Sequence, residues 1–144
     1  MCLGCLLVVQ MTPEGLVKDQ AKKLLAQYKI YPASKVGSGP EGRSLPLDAA
    51  GWYWMPIKGA SFGVRGIPDF EGHYLGLYFG LEIKRKTKKA EGFQKLQVEA
   101  IQCSGGACFV VDGPDSLKVF EGWLERVGND PHLELSRMLR NDLL

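Results

Sequence analysis

The spacing of apolar residues predicts a helix near the start of the chain. Residues 12–28 repeat apolar side chains at helical intervals from Leu16 to Tyr28, with lysines on the opposite side. Thr12 is a suitable N-cap and Pro13 suits the first helical position. We therefore expect an amphipathic helix with one buried face.

Alternating patterns in the middle of the chain predict strands. The aromatic alternation "WYWMPI" at 52–57 is typical of a strand, and the Pro-, Gly- and Ser-rich residues 31–51 predict a long loop before it. Residues 66–84, "GIPDFEGHYLGLYFGLEIK", predict a hairpin. In this hairpin one strand ends near Asp69, "EGHY" forms the turn and "LGLYFGLEIK" forms the second strand.

The remaining residues alternate between helical and strand patterns. Residues 91–103 predict a helix with Phe93, Leu96 and Ala100 toward the core, and "ACFVV" at 107–111 predicts a buried strand. Two further helices are predicted over 114–144, the last of them loosely attached. The whole pattern predicts one α/β domain over residues 1–144, with a core over about 12–112 and a small mixed β-sheet flanked by α-helices.

Composition narrows the class of protein without identifying it. The 144 residues are 45% hydrophobic and 24% charged, as in ordinary soluble proteins, and the net charge of +2 is too small to indicate nucleic-acid binding by itself. The apolar run at 1–11 is too short to span a bilayer. It suits an edge strand, a contact between subunits, or an extension upstream of a start at Met11.

Four cysteines stand at positions 2, 5, 103 and 108. The first two have the CxxC spacing of a zinc site, but the second two do not, and no histidine lies near either pair. Reduced, packed thiols are therefore the favoured interpretation, with a zinc site as the alternative.

Three charged residues of the predicted hairpin are the main candidates for chemistry. Glu82 and Lys84 should point to the same face of their strand, and hairpin pairing can bring Asp69 beside Glu82. Two converging carboxylates repel each other unless a proton or divalent cation lies between them, and oxygen ligands favour Mg²⁺ or Mn²⁺. A neighbouring lysine can position water and offset charge on a phosphorus. The simpler alternative is a solvated E-x-K pair on an exposed face.

The combination of "GIPDF", a hairpin, "LEIKRK" and "FQKLQVEAIQCSGG" resembles the PD-(D/E)XK nucleases. Within them it is most similar to the compact, stand-alone form of the VRR-NUC (virus-type replication-repair nuclease) family, over residues 12–112. The resemblance implies a restriction-endonuclease-like fold and a DNA endonuclease that uses Mg²⁺ or Mn²⁺, with no nucleotide cofactor. It also implies a homodimer that resolves four-way (Holliday) junctions during DNA repair, in the cytoplasm of a bacterium or a phage-infected host.

Carried onto this sequence, the resemblance assigns each site residue. Asp69 and Glu82 would bind the metal together with the backbone carbonyl of Ile83, and Lys84 would act on the attacking water. The helix glutamine of the family corresponds to Gln94, with Gln97 as the second choice. Glu14 would be the glutamate that the family's first helix directs toward the site and would complete the outer coordination of the metal, although a helix-dipole role suits it equally well.

Basic residues around this site are candidates for DNA contacts. The run "KRKTKK" at 84–89 follows the predicted catalytic strand and would hold phosphates without reading sequence. On most proteins such a run is a solvated turn. Trp52 and Trp54 share one face of their strand and suit core or dimer packing, with base stacking as the alternative. The DNA-binding candidates are Lys58, Arg65, Arg85, Lys86, Lys88 and Lys89.

Two other functions remain open at this point. The chain could be a nicking, flap-cutting or RNA nuclease of the same fold. It could also be a DNA-binding module without catalysis, which would bind DNA regardless of Mg²⁺ and of Lys84.

Overall fold

A computed structural model describes residues 13–37, 40, 44–57, 64–86 and 90–140 of the chain. The predicted roles of the apolar run at 1–11 and of the CxxC pair fall outside these residues. The described helices are α1 (Pro13–Gln27), α2 (Phe93–Cys103), α3 (Pro114–Asn129) and α4 (Pro131–Leu139). The strands are β1 (Ile30–Pro32), β2 (Gly51–Trp54), β3 (Phe70–Tyr74), β4 (Leu77–Ile83) and β5 (Ala107–Val111).

The five strands form one mixed sheet in the order β1-β2-β3-β4-β5. β2, β3 and β4 are antiparallel neighbours, whereas β1 joins β2 and β5 joins β4 in parallel. A parallel connection needs a crossover, and α2 provides it between β4 and β5. The predicted mixed sheet flanked by helices is therefore confirmed.

One face of the sheet carries the hydrophobic core. Alternate residues of β4, from Leu77 to Ile83, are buried together with Phe70, and they pack against α1 and α3. The rings of Phe79, Phe109, Phe120 and Trp123 form one aromatic cluster with centroids 5.3–6.1 Å apart. Packing on the core face thus holds β4 and β5 in place. Glu82 projects from β4 to the opposite face of the sheet.

The hairpin exists, but the predicted positions of its turn and first strand are wrong. The chain turns at Leu75 and Gly76, both with positive φ, and "EGHY" lies inside β3. Glycine adopts such a φ readily, so Gly76 was the usable signal for a two-residue turn. Phe70 pairs with Leu81, and Asp69 therefore precedes β3 instead of ending a strand.

Three other predictions need correction. β1 and a short 3-10 helix at Ala33–Lys35 occupy part of the predicted loop. Phe93, Leu96 and Ala100 are exposed, and Val98 is the buried residue of α2. α4 is not loosely attached, because Met138 and Glu134 are buried against the rest of the fold. Among the described helices, none combines the length and apolar character needed to cross a membrane.

Candidate active site

The first candidate residue, Asp69, takes the place of a backbone hydrogen-bond acceptor where the β3–β4 pairing ends. At this end of the hairpin the last β3–β4 pair is Phe70 with Leu81. Two residues before Phe70, Pro68 has no N–H with which to continue the pairing. The Asp69 carboxylate instead accepts the backbone N–H of Ile83, with Oδ2 and N 2.7 Å apart. Asp69 is only 8% exposed, so this bond holds a buried carboxylate beside the peptide unit that joins Glu82 to Ile83.

Glu82 and Lys84 form the second half of the site. They alternate with the core residues Leu81 and Ile83, so both project to the face of the sheet opposite the core. The Lys84 Nζ lies 3.6 Å from Glu82 Oε1, and the exposed fractions of the two side chains are 15% and 1%. A solvated surface pair, the simpler interpretation of E-x-K, is therefore excluded.

A second lysine reaches the site from α1, and the sequence pattern did not single it out. The Lys18 Nζ lies 3.8 Å from Asp69 Oδ1. Lys18 follows the buried Val17 and precedes the buried Ala21, so it lies at the edge of the helix face that packs on the sheet. That boundary position was the available signal. Each carboxylate of the site thus has a lysine close by.

Buried carboxylates are rare unless a partner or a function compensates their desolvation. Here Asp69 immediately precedes β3 and Glu82 is the second-last residue of β4, so both lie at the open end of the hairpin. The Ile83 carbonyl points to the same side as its N–H, which is the side of Asp69. Two carboxylates and one carbonyl are the oxygen donors that Mg²⁺ or Mn²⁺ takes while keeping several waters. The donor set therefore fits such a cation.

The other predicted metal and catalytic residues are less closely gathered. Within the described part of the chain, no three His, Cys, Asp or Glu side chains form a group able to hold a metal, so Glu14 does not join Asp69 and Glu82 in one. Glu14 lies one helical turn before Lys18. Gln94 lies half-buried in the first turn of α2. The roles of Glu14 and Gln94 stay predictions.

Gln97, the second choice for the helix glutamine, has an identified contact. Its Nε2 donates to the carbonyl of Arg65 at 3.2 Å, which ties α2 to the loop that leads into Asp69. Gly66 in the same loop has φ +78°, and a Cβ there would lie 2.3 Å from the Phe93 carbonyl oxygen. These contacts position the loop before Asp69 against the start of α2.

Three of the predicted DNA contacts lie in described segments. Arg85 and Lys86 are exposed immediately after Lys84, and the Arg65 guanidinium lies 5.4 Å above the exposed ring of Phe93. Lys58, Lys88 and Lys89 fall outside the described residues. The described basic groups therefore flank the carboxylates on the β4 side and on the α2 side.

Two neutral side chains, Cys108 and Tyr78, lie on the same face of the sheet as Glu82. Cys108 is fully buried, and its burial and the charge of Glu82 raise the pKa of its thiol to about 12. Tyr78 donates to Glu71 at 3.1 Å, and burial followed by the charge of Glu71 raises the pKa of its hydroxyl. Neither group ionises at neutral pH, so the negative charge of the site comes from the carboxylates.

The two faces of β2 alternate as predicted, but the core packing expected for Trp52 and Trp54 is wrong, because Tyr53 is the core residue of this strand. Tyr53 is buried in the core, whereas Trp52 stacks on His73 with ring centroids 6.4 Å apart on the other face. Trp54 is 44% exposed. Its ring is therefore accessible near the end of the sheet that carries Asp69.

Comparisons with known proteins do not extend this picture. No family model, curated protein or solved structure matches the chain.

Proposed function

We propose that this protein is a Mg²⁺- or Mn²⁺-dependent DNA endonuclease with a restriction-endonuclease-like fold. The observation that carries the proposal is the pair of buried carboxylates, Asp69 and Glu82, at adjoining strand ends with a lysine beside each. Such a concentration of buried charge indicates a functional site more than a stabilising one. The order of α1, the antiparallel β2–β4, α2 and the parallel β5 is consistent with the fold.

The residues divide the work of phosphodiester hydrolysis. Asp69, Glu82 and the Ile83 carbonyl would hold the cation, which supplies a Lewis acid and lowers the pKa of bound water. Lys84 lies beside Glu82 with its side chain 15% exposed, and its ammonium would position the attacking water and offset the charge that builds on the phosphate. Gln94 would help to orient the site. The nucleophile is water, so no covalent intermediate with the chain is needed.

We further propose that the preferred substrate is branched DNA, in particular a four-way junction. Two symmetric cuts require two active sites, hence a C2 dimer. Arg85 and Lys86 would contact phosphates beside the site. The exposed Trp54 is available for either the dimer interface or the DNA. Light scattering of the protein alone and with a junction tests this part, because a monomer in both conditions contradicts a dimeric resolvase.

The central test is cleavage of an end-labelled four-way junction beside linear duplex, flap and RNA substrates in Mg²⁺, Mn²⁺ or EDTA. The variants are Asp69→Asn and Lys84→Gln. Their matched controls are Asp48→Asn, at an exposed Asp paired with Lys29, and Lys118→Gln on α3. We expect the unchanged protein to make paired symmetric nicks in the junction only. The cleavage rate should fall by at least about 100-fold in Asp69→Asn and in Lys84→Gln, and it should stay unchanged in the two controls.

The outcomes separate the remaining functions. Equal cutting of junction and duplex would keep the nuclease and remove the structure preference, and cutting of RNA alone would change the substrate. Binding of DNA without cleavage, unchanged by EDTA, Asp69→Asn or Lys84→Gln, would show a DNA-binding module instead. Circular dichroism of each variant must match the unchanged protein before its activity is compared.

A further inference from the structure

Lys18 has a position that the E-x-K lysine does not share. It comes from α1, which packs against the core face of the sheet, and its Nζ lies 3.8 Å from Asp69 Oδ1. The other oxygen of this carboxylate is held by the Ile83 N–H. The ammonium therefore lies beside Oδ1, the carboxylate oxygen that does not accept the Ile83 N–H, and a cation bound to Asp69 meets it there.

The charges of the site explain why this position matters. Asp69 and Glu82 carry two negative charges, and Lys18 and Lys84 carry two positive ones. A divalent cation that binds both carboxylates meets two ammonium groups that already compensate them. Like charges repel within a few ångströms, particularly where side chains are largely shielded from water. One of the two lysines must then move away, because otherwise the affinity of the site for the cation is lowered.

We propose that Lys18 is an internal counter-ion that competes with the divalent cation for Asp69 and turns to the DNA phosphate when the cation binds. This inference rests on the proposed function, since it assigns a role at the same site. In the metal-free protein, Lys18 neutralises Asp69. With the cation in place, the ammonium is displaced from the carboxylate and becomes a positive contact for a phosphate beside the cleavage position.

The chain provides the freedom for this exchange. The Lys18 side chain is 33% exposed, compared with 15% for Lys84, so its head group has solvent on one side. A lysine ammonium is a point charge on a flexible stem and needs no fixed orientation to contact a phosphate. Lys84, by contrast, stays within the enclosed face of the sheet. The two lysines therefore have different tasks, with Lys18 the mobile one.

The test measures Mn²⁺ binding by titration calorimetry without DNA, so that its main readout does not depend on activity. The variants are Lys18→Gln, Lys22→Gln and Asp69→Asn. Lys22 is the matched control, because it lies one turn further along the same helix and the described residues show no ion pair for it. We expect Lys18→Gln to bind Mn²⁺ about two- to fivefold more tightly, the range for a partly exposed ion pair, and Lys22→Gln to bind as the unchanged protein does.

Cleavage at saturating Mn²⁺ tests the second half of the inference. We expect Lys18→Gln to raise the KM for junction DNA while Lys22→Gln leaves it unchanged. If Lys18→Gln and the unchanged protein bind Mn²⁺ equally while Asp69→Asn loses binding, the counter-ion role is wrong and the metal site stands. If Asp69→Asn binds Mn²⁺ as tightly as the unchanged protein, the metal site itself is wrong, and the inference fails with it.

Discussion

Pro68 and Asp69, the two residues before β3, determine how the hydrogen bonding between β3 and β4 ends. Pro68 cannot donate to the sheet, and Asp69 uses its carboxylate to accept the Ile83 N–H at the point where the ladder stops. A buried carboxylate held in this way keeps one oxygen on the sheet and the other near Lys18. The pairing of proline with aspartate thus has a physical reason that does not depend on any comparison with other proteins.

Gly66 is a further residue whose identity the local structure requires. Its φ of +78° disfavours any side chain, and a Cβ would lie 2.3 Å from the Phe93 carbonyl oxygen. We expect Gly66→Ala to lower the free energy of unfolding by more than the about 1–2 kcal/mol that the backbone conformation alone imposes. We also expect lower cleavage activity, because the loop leads into Asp69. Urea unfolding and the junction assay measure the two effects.

Gly37 provides the matched control for this substitution. Its φ is +91°, but a Cβ there would meet no atom within 4 Å. Gly37→Ala therefore carries the same type of backbone strain without the contact to α2. Equal losses of stability and activity in Gly66→Ala and Gly37→Ala would contradict the role of Gly66 in positioning the loop.

The buried thiol of Cys108 predicts a defined pH dependence of stability. Its pKa rises from 9.0 to about 12 in the folded protein, through burial and the nearby charge of Glu82. Below pH 9.0 the thiol is protonated in both states and contributes no pH dependence. Above it, only the unfolded state loses the proton, so stability falls as pH rises toward the folded pKa. From this site we expect a loss of about 1.4 kcal/mol between about pH 8 and about pH 10.

Urea unfolding of Cys108→Ser at the same two pH values measures this contribution. Serine does not titrate there, so the difference in unfolding free energy between the two pH values should shrink by that amount. Cys103→Ser is the control, because Cys103 is exposed. An unchanged pH dependence in Cys108→Ser, or an equal reduction in Cys103→Ser, would show that the thiol is not the titrating group.

At the scale of elements, the sequence predicted the parts of the fold that depend on local pattern. α1, β5 and the β3–β4 hairpin follow from helical spacing, a buried apolar run and a strongly apolar strand. The hairpin register could not be obtained in this way, because "EGHY" and Leu75–Gly76 are both plausible turns and the choice depends on the pairing of Phe70 with Leu81. β1 was missed because three residues are too few to show a period.

The inward face of α2 shows why helix patterns can mislead. Gln97 and Gln102 each donate to a backbone carbonyl, of Arg65 and of Cys108, while Val98 between them is buried. The apolar Phe93 and Leu96 lie outside, so the more hydrophobic stripe is not the buried one. Carbonyl groups at the sheet edge and in the loop need hydrogen-bond donors, and this need outweighed the hydrophobic pattern.

Lys18 was not predicted as a site residue, because its partner Asp69 is remote in sequence.

The attachment of α4 depends on one buried carboxylate. Glu134 is 1% exposed and accepts from Arg126 Nε at 3.1 Å, with Arg137 3.8 Å away. Glu134→Gln removes the charge that both arginines compensate, so we expect a loss of about 2 kcal/mol in unfolding free energy. Hydrogen exchange should show faster exchange in α4. Glu121→Gln, at an exposed residue of α3, is the control, and equal effects of the two substitutions would contradict this role.

On the scale of the whole molecule, positive charge is distributed unevenly. The C-terminal helices, residues 114–140, hold four basic and five acidic residues, although the whole chain has a net charge of +2. The excess of positive charge therefore lies in the rest of the chain, which includes α1 and the residues after β4. This distribution disfavours DNA contacts on α3 and α4.

The salt dependence of DNA binding measures this charge distribution directly. Each lost phosphate contact lowers the slope of log affinity against log salt concentration by about 0.9. We expect Arg85→Gln and Lys86→Gln each to reduce the slope for junction DNA in EDTA by about that amount, and Lys118→Gln on α3 to leave it unchanged. Fluorescence anisotropy across a salt series gives the slopes. If Lys118→Gln lowers the slope as much as Arg85→Gln does, the DNA does not bind at the end of the sheet that carries Asp69 and Glu82.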